Sequence, residues 1–256
     1  MPLQRESLEI QAMRSLRSQT NRKNIKYQFL FLYLRVIEIP IYKCPKCGRV
    51  VSLPEGTYYC RFCGPAFIMQ PIQIKLAELK PQLYCSRREP PKPPSPQEIQ
   101  PVRRWVINKP EGGLWTSTFL PSGDEVYGVC SDWLRWCKSD MPDWLPKSED
   151  YCWVLYPSDD AEVVEVDDLE DYLQLLKYYS WLNPVTNKKE VDFARLARDF
   201  DGFHLTENGV WKLRNLWEYP DIESFYGWDC ESTVWFRWKF DAVRPLKAVP
   251  HSCKIR

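Results

Sequence analysis

The 256-residue chain has only two histidines, His204 and His251, and no long hydrophobic run. Its longest apolar stretch is Phe29 to Leu34, closed by Arg35, whereas a membrane-spanning helix needs about 20 apolar residues. Because the start of the chain is polar and basic, we expect neither a secretory signal nor a membrane span. The sequence also lacks a glycine-rich phosphate loop, a nucleophile elbow and a His-Glu-x-x-His motif, so none of these signatures assigns an enzyme class.

Charge and proline content divide the chain. Residues 1–88 hold 15 Lys and Arg against 5 Asp and Glu, whereas residues 89–256 hold 20 against 29. Six prolines fall within residues 89–101, and all 12 tryptophans follow that stretch. Because proline restricts its own φ and the residue before it, such a stretch is extended and semi-rigid. We therefore predict a basic module over residues 1–88, a proline-rich linker over 89–101 and an acidic, tryptophan-rich domain over 102–256.

The cysteines carry the most specific chemical pattern. Ten cysteines without a secretory signal indicate a reducing, cytoplasmic compartment and favour metal binding over disulfides. Two Cys-x-x-Cys pairs, Cys44 with Cys47 and Cys60 with Cys63, have the spacing of zinc knuckles. We predict a zinc ribbon over about residues 42–65, with two disulfides or an iron centre as alternatives. Four thiolates leave no open position for water, so this Zn²⁺ is expected to be structural.

The remaining six cysteines lack metal-ligand spacing and are predicted to be free thiols. The positive charge around the ribbon suits contacts with nucleic acid or another polyanion. The alternative is a ribbon that only docks a protein or stabilises the fold.

The acidic part predicts many short strands and few helices. Strands are expected at residues 103–108, 114–119, 151–156, 162–166, 201–206 and 233–240. Helices are expected after a Ser131 cap, after an Asp167 or Asp168 cap, and over about residues 192–200. Because these elements do not alternate as simple βα units, we predict the α+β class: a small β zinc ribbon followed by a mixed, mainly antiparallel domain.

Three segments have more polar character than packing requires. In residues 109–118, two glycines allow a close approach of the backbone, and the hydroxyls of Thr116, Ser117 and Thr118 follow. The second segment, residues 200–207, ends at the acidic residue Glu207. The third segment, residues 226–233, carries Asp229 and Glu231 beside four aromatic residues. Each segment alone also fits an ordinary role as a strand face or a loop cap.

Together, an arginine, a Thr-Ser-Thr strand and an Asp-x-Glu stretch resemble the ADP-ribosyltransferase-like fold over residues 102–243. The matching residues are Arg103 or Arg104, Thr116 to Thr118, and Asp229 with Glu231. The chain is also similar to uncharacterised phage and bacterial proteins with Lys-Pro-x-Gly-Gly-Leu-Trp-Thr-Ser and Trp-Asp-x-Glu-Ser-Thr stretches.

The resemblance implies NAD as the substrate, held by an arginine, with Ser117 supporting the site and Glu231 as the catalytic acid. Asp229 would assist, and Glu207 is the alternative acid. Trp228 would supply an aromatic wall. A carboxylate near the ribose stabilises the ribosyl cation that forms when the glycosidic bond breaks. We expect Glu231 to face outward at a strand end.

Two functions are therefore predicted from the sequence. The first is NAD-dependent ADP-ribosyl transfer to a macromolecular target, or NAD glycohydrolysis, directed by the zinc ribbon. The alternative is a non-enzymatic adaptor that binds nucleic acid or a protein.

Overall fold

The computed structural model of the chain describes residues 41–47, 49–103 and 108–256. Pro40–Arg256 forms one compact unit. Residues 1–40 of the predicted basic module, and also Arg104, lie outside the described residues. No helix in the described ranges is long and apolar enough to cross a membrane.

The ribbon contains a three-stranded antiparallel sheet. Its strands are β1 (Ile41–Lys43), β2 (Val50–Ser52) and β3 (Gln70–Ile72), in the order β2-β1-β3. A small core of Tyr42, Cys44, Cys60 and Met69 lies beside it.

Ten further strands and four α-helices follow in the described ranges. The strands are β4 (Gln82–Cys85), β5 (Gln100–Arg103), β6 (Glu111–Thr118), β7 (Cys152–Pro157), β8 (Val163–Val166), β9 (Ser180–Leu182), β10 (Lys189–Val191), β11 (Gly202–Leu205), β12 (Ser232–Trp235) and β13 (Phe240–Pro245). The helices are α1 (Asp132–Asp140), α2 (Leu169–Tyr179), α3 (Phe193–Asp199) and α4 (Glu207–Leu213).

Eight of these strands form one mixed sheet. Its order is β13-β7-β4-β6-β12-β11-β8, and β5 also pairs with β6. The pairings are antiparallel except for β11 with β8, while β9 and β10 form a separate antiparallel pair. The predicted mixed α+β class is confirmed, while its ADP-ribosyltransferase type stays a prediction.

The proline-rich segment does not separate two sheets. Strand β4 precedes it in sequence and pairs on one side with β6 and on the other with β7. Glu89, at the start of the segment, accepts a 2.7 Å hydrogen bond from the Tyr151 hydroxyl, and Pro96–Glu98 forms a turn of 3₁₀ helix. The expected boundary at residues 89–101 is therefore corrected: prolines mark an extended connection, but backbone pairing joins the chain on both sides of it.

The large sheet separates hydrophobic layers. Because side chains alternate along a strand, Val234 of β12 packs in a layer with residues of α2, α3 and α4. Its neighbour Trp235 packs in another layer with Leu155 and Phe240. A third cluster contains Leu134 of α1 and several cysteines.

One disulfide corrects the expectation of six free thiols. Cys130 is bonded to Cys253, 123 residues later. The segment around Cys253 is held beside residue 130 by backbone hydrogen bonds, including one from Cys130 N–H to the carbonyl of Lys254. The other four cysteines outside the ribbon, Cys85, Cys137, Cys152 and Cys230, are free. Sequence spacing gives no sign of this pair because the tail returns to the sheet only in the folded chain.

Candidate functional site: a cysteine cluster, a basic groove and a carboxylate cleft

Cys44, Cys47, Cys60 and Cys63 converge as the sequence predicts. Their four sulfur atoms all lie within 4.8 Å of one another, and the sulfurs of Cys47 and Cys60 are 3.6 Å apart. Zn–S bonds of about 2.3 Å would place tetrahedral sulfurs about 3.8 Å apart, so the cluster fits such an ion. Gly64 follows the last cysteine with φ of 88°, a conformation that favours glycine. The four cysteines can therefore hold a metal ion such as zinc.

A groove of about 680 Å³ lies between this cluster and α3. Five cationic side chains line it, against one carboxylate, that of Asp199: they are Lys43, Lys46, Arg49, Arg195 and Arg198. All of the five except Lys43 are exposed. With zinc bound, the four thiolates would add a net charge of about −2, and the groove would still be cationic.

Lys43 forms the buried part of the groove. Its ammonium group donates a 3.3 Å hydrogen bond to the carbonyl of Tyr178 and lies 3.9 Å from the ring centroid of Tyr179. Burial, reinforced by the charge of Arg195, lowers the pKa of Lys43 to about 8. The Lys43 ammonium is thus partly desolvated at the inner side of the groove.

A second polar site is centred on Glu231. Its carboxylate accepts hydrogen bonds from the Ser117 hydroxyl at 2.6 Å, the Thr118 hydroxyl at 3.0 Å and the Thr118 backbone N–H at 3.0 Å. His204 Nδ1 lies 3.3 Å from the same carboxylate and 2.8 Å from the Thr233 hydroxyl. The structure therefore brings together three residues singled out from the sequence. However, Glu231 is only 6% exposed, which corrects the expectation that it faces outward.

Two other predicted site residues are part of the core. Thr116 is buried, donates a 2.7 Å hydrogen bond to Gln82 Oε1 and accepts one from the indole N–H of Trp235. Trp228 is 1% exposed, and its indole N–H donates to the carbonyl of Asn108. In this position Trp228 is not available as the expected aromatic wall for a ligand, because neighbouring aromatic rings already cover it.

The predicted arginine is not near Glu231. Arg103 is exposed on β5 and pairs in register with Glu111, at the start of β6. Ser117 lies six residues further along the same strand, about 20 Å away at the usual strand rise. Arg103 therefore does not join the Ser117 and Glu231 cluster, and Arg104 is outside the described residues.

The glycine pair before Thr116 serves packing between strands. A side chain at Gly112 would meet the carbonyl of Pro101 at 2.5 Å, and one at Gly113 would meet Val234 at the same distance. Both glycines also have positive φ. The close approach expected from the sequence is thus made by β5 and β12 rather than by a ligand.

The other two predicted acids line a cleft of about 460 Å³ between α1 and α4. Glu207 is exposed and lies 2.6 Å from Arg135 Nη2. Asp229 is exposed, with one oxygen 3.7 Å from Arg214. Glu207 and Asp229 therefore face one cavity, while Glu231 lies behind it.

Asp132 connects the cleft to Glu231. One of its oxygens accepts a 2.7 Å hydrogen bond from the Glu231 backbone N–H, and the other forms an ion pair with Arg135. Burial raises the pKa of Asp132 to about 6, despite the hydrogen bond and the guanidinium. The buried carboxyl of Asp132 therefore holds its proton more readily than an exposed aspartate does.

Sequence reasoning missed Asp132, Arg135 and His204 as site residues. His204 lies inside the polar segment of residues 200–207, and that segment was the available sequence signal. Its pairing opposite Thr233 is seen only in the folded sheet. Nothing in the sequence links Asp132 to Glu231, because 99 residues separate them.

Comparisons of the chain with protein families, with curated proteins and with solved structures find no match in any of the three. The resemblance to the ADP-ribosyltransferase-like fold therefore rests on the sequence motifs alone.

Proposed function

We propose that the protein binds nucleic acid or a similar polyanion in the groove between the cysteine cluster and α3. The observation that carries this proposal is the convergence of five cationic side chains on one groove. Three of them come from the ribbon and two from α3, so a ligand would contact both elements at once.

The chemistry of the groove suits phosphates. Arginine presents a planar fork of donors that matches phosphate oxygens, and lysine supplies a compact charge. A metal held by the cysteines would stabilise the ribbon, which has a core of few residues, and would thereby fix Lys46 and Arg49. Binding would be dominated by release of counterions and would fall steeply with salt.

The test is oligonucleotide binding by the zinc-loaded full chain as a function of salt concentration. We expect the double variant Arg195→Ala, Arg198→Ala to weaken binding and to reduce the salt slope by about 2, roughly 1 for each lost contact. Lys92→Ala, which removes one exposed charge in the proline-rich segment, is the control and should leave the salt slope unchanged. No binding at low salt, or equal loss in the control, would refute the proposal.

A second candidate function is NAD-dependent ADP-ribosyl transfer or NAD glycohydrolysis in the cleft between α1 and α4. It is favoured by the position of Glu207 and Asp229 on one cavity, with Asp132 connecting that cavity to Glu231. The guanidinium groups available to a pyrophosphate there are those of Arg135 and Arg214, not that of Arg103. Trp136 and the exposed Trp211 would provide aromatic walls for the bases.

Nicotinamide release from NAD by the full chain tests this second candidate. We expect Asp229→Asn and Glu207→Gln to lower the rate, because each removes negative charge from the cavity where a ribosyl cation would form. Asp143→Asn, on an exposed turn outside the cleft, should leave the rate unchanged. Absence of release by the unmodified chain, with or without an added acceptor, would eliminate the candidate.

A further inference from the structure

The ribbon exposes aromatic rings that its own core does not use. Phe62 is 66% exposed and Tyr59 is 55% exposed. The small core beside them is filled by other residues, including Tyr42, whose ring packs 5.0 Å from that of Tyr58. Since large aromatic side chains are usually mostly buried, a ring left open on so small a module is available for a ligand.

The exposed ring of Phe62 adjoins the basic groove. The guanidinium carbon of Arg49 lies 3.4 Å from the ring centroid of Phe62, and Arg49 lines the groove. The same pairing recurs nearby, where Lys46 Nζ lies 4.5 Å from the ring centroid of the partly buried Phe67. Two of the cationic side chains that line the groove, those of Arg49 and Lys46, therefore each lie against an aromatic ring of the ribbon.

An exposed aromatic ring beside a cationic groove favours one kind of polyanion over the others. A single-stranded nucleic acid offers both phosphates and unpaired bases, and the bases stack on aromatic side chains beside a positively charged groove. In a duplex the bases stack on one another, so an exposed phenyl ring finds no free base to contact. A simple polyphosphate offers charge alone.

We infer that the ligand of the groove is single-stranded nucleic acid, with its phosphates along the cationic side chains and a base stacked on Phe62. This inference rests on the proposed function, and it adds the strandedness of the ligand. Tyr59, the other strongly exposed aromatic residue of the ribbon, is the second candidate for stacking.

The experiment measures binding of the zinc-loaded full chain to four probes of equal length, compared at equal concentrations of phosphate groups. They are a single-stranded oligodeoxynucleotide, its duplex, an abasic oligonucleotide and inorganic polyphosphate. We expect the single strand to bind most tightly. Phe62→Ala should weaken single-strand binding by about fivefold or more and leave polyphosphate binding unchanged, because polyphosphate has no base to stack on the ring. Phe62→Trp should retain single-strand binding, and Phe62→Leu should not.

The outcomes distinguish an error about the strandedness of the ligand from an error about polyanion binding itself. If the duplex or the abasic strand binds as tightly as the single strand, or if Phe62→Ala weakens all probes equally at unchanged zinc content, the inference about strandedness is wrong and the polyanion site remains. If none of the four probes binds at low salt, the proposed function itself is wrong. Arg195→Ala should weaken binding of all four probes, which distinguishes loss of charge from loss of stacking.

Discussion

The hydroxyl of Ser117 donates a 2.6 Å hydrogen bond to the carboxylate of Glu231, a residue 114 positions later in the chain. Ser117 lies near the end of β6, and Glu231 directly precedes β12. With both donors of Thr118 also directed at this carboxylate, Glu231 fixes the end of one central strand to the start of its neighbour.

Glu231→Gln is therefore expected to destabilise the fold. A glutamine amide has one acceptor oxygen where the carboxylate has two. Its NH₂ group would face the donors of Ser117 and Thr118, which have no other acceptor in the described contacts. Leaving a buried donor unsatisfied costs about 1–3 kcal/mol, so we expect a loss of about 2 kcal/mol or more in the free energy of unfolding. Urea denaturation measures this. Glu207→Gln, which alters an exposed ion pair, should change the free energy of unfolding by less than about 1 kcal/mol. Equal losses of stability in the two variants would contradict the role of Glu231 in joining β6 to β12.

The four-cysteine cluster is expected to bind one zinc ion per chain. Cys47→Ser removes an exposed ligand and should reduce the zinc content measured after dialysis against a weak chelator, because the three remaining thiolates no longer close a tetrahedron. Cys137→Ala, which changes a buried free cysteine on α1, should leave the zinc content unchanged. Full zinc retention by the Cys47→Ser variant would mean that these cysteines are not the site.

The disulfide of Cys130 with Cys253 is expected to stabilise the C-terminal tail. Because it closes a loop of more than a hundred residues, Cys253→Ala should lower the free energy of unfolding by about 2–5 kcal/mol. Reductant should destabilise the unmodified chain and have little effect on the variant. Alkylation before digestion, followed by mass spectrometry, detects the bond directly, and complete alkylation of both cysteines in the oxidised protein would show that it does not form.

Glu190→Gln is expected to stabilise the protein increasingly as pH rises. Glu190 is 1% exposed; one carboxyl oxygen accepts from Asn183 Nδ2, and among the described residues the other has no hydrogen-bond partner. Burial raises the pKa of Glu190 above its ordinary value of 4.5. The stabilising contribution of Glu190 is thus fully present below pH 4.5. It is lost as the pH rises through the higher pKa of the folded state, because the unfolded chain releases this proton more readily.

Urea unfolding at pH 4, 6 and 8 checks this prediction through the difference between the Glu190→Gln variant and the unmodified chain. The difference should grow in favour of the variant with rising pH. The exposed Glu78→Gln variant should show no such trend, and a pH-independent difference at position 190 would contradict the burial argument.

Local sequence signals were sufficient for several elements. The Ser131 hydroxyl accepts from the N–H of Leu134, and the Asp168 carboxylate caps α2, as the capping patterns predict. The predicted strand at residues 233–240 is too long: β12 ends at Trp235, and the backbone N–H of Phe236 turns instead to the carbonyl of Asp201. Alternation of side chains continues through this break, so the pattern alone does not reveal it.

Contacts between distant segments explain the remaining differences. Strand β4 has only four residues and stands beside the proline-rich segment, where composition changes abruptly. Its place in the sheet depends on pairing with β6 and β7, which no local pattern encodes. The same holds for the cleft, where Asp132, Glu207 and Asp229 meet only after α1 and α4 have packed.

The position of β4 also limits how this protein can be divided for experiments or by recombination. A fragment beginning at residue 102 would lack a central strand, and the facing edges of β6 and β7 would present unpaired backbone groups that favour aggregation. The stretch from the ribbon to β4 is itself bonded to β8, where Ala77 N–H donates to the carbonyl of Val163 and Glu165 N–H to that of Lys75. A chimera that replaces the ribbon must therefore keep the native sequence from Lys75 onward, so that these backbone bonds to β8 are preserved.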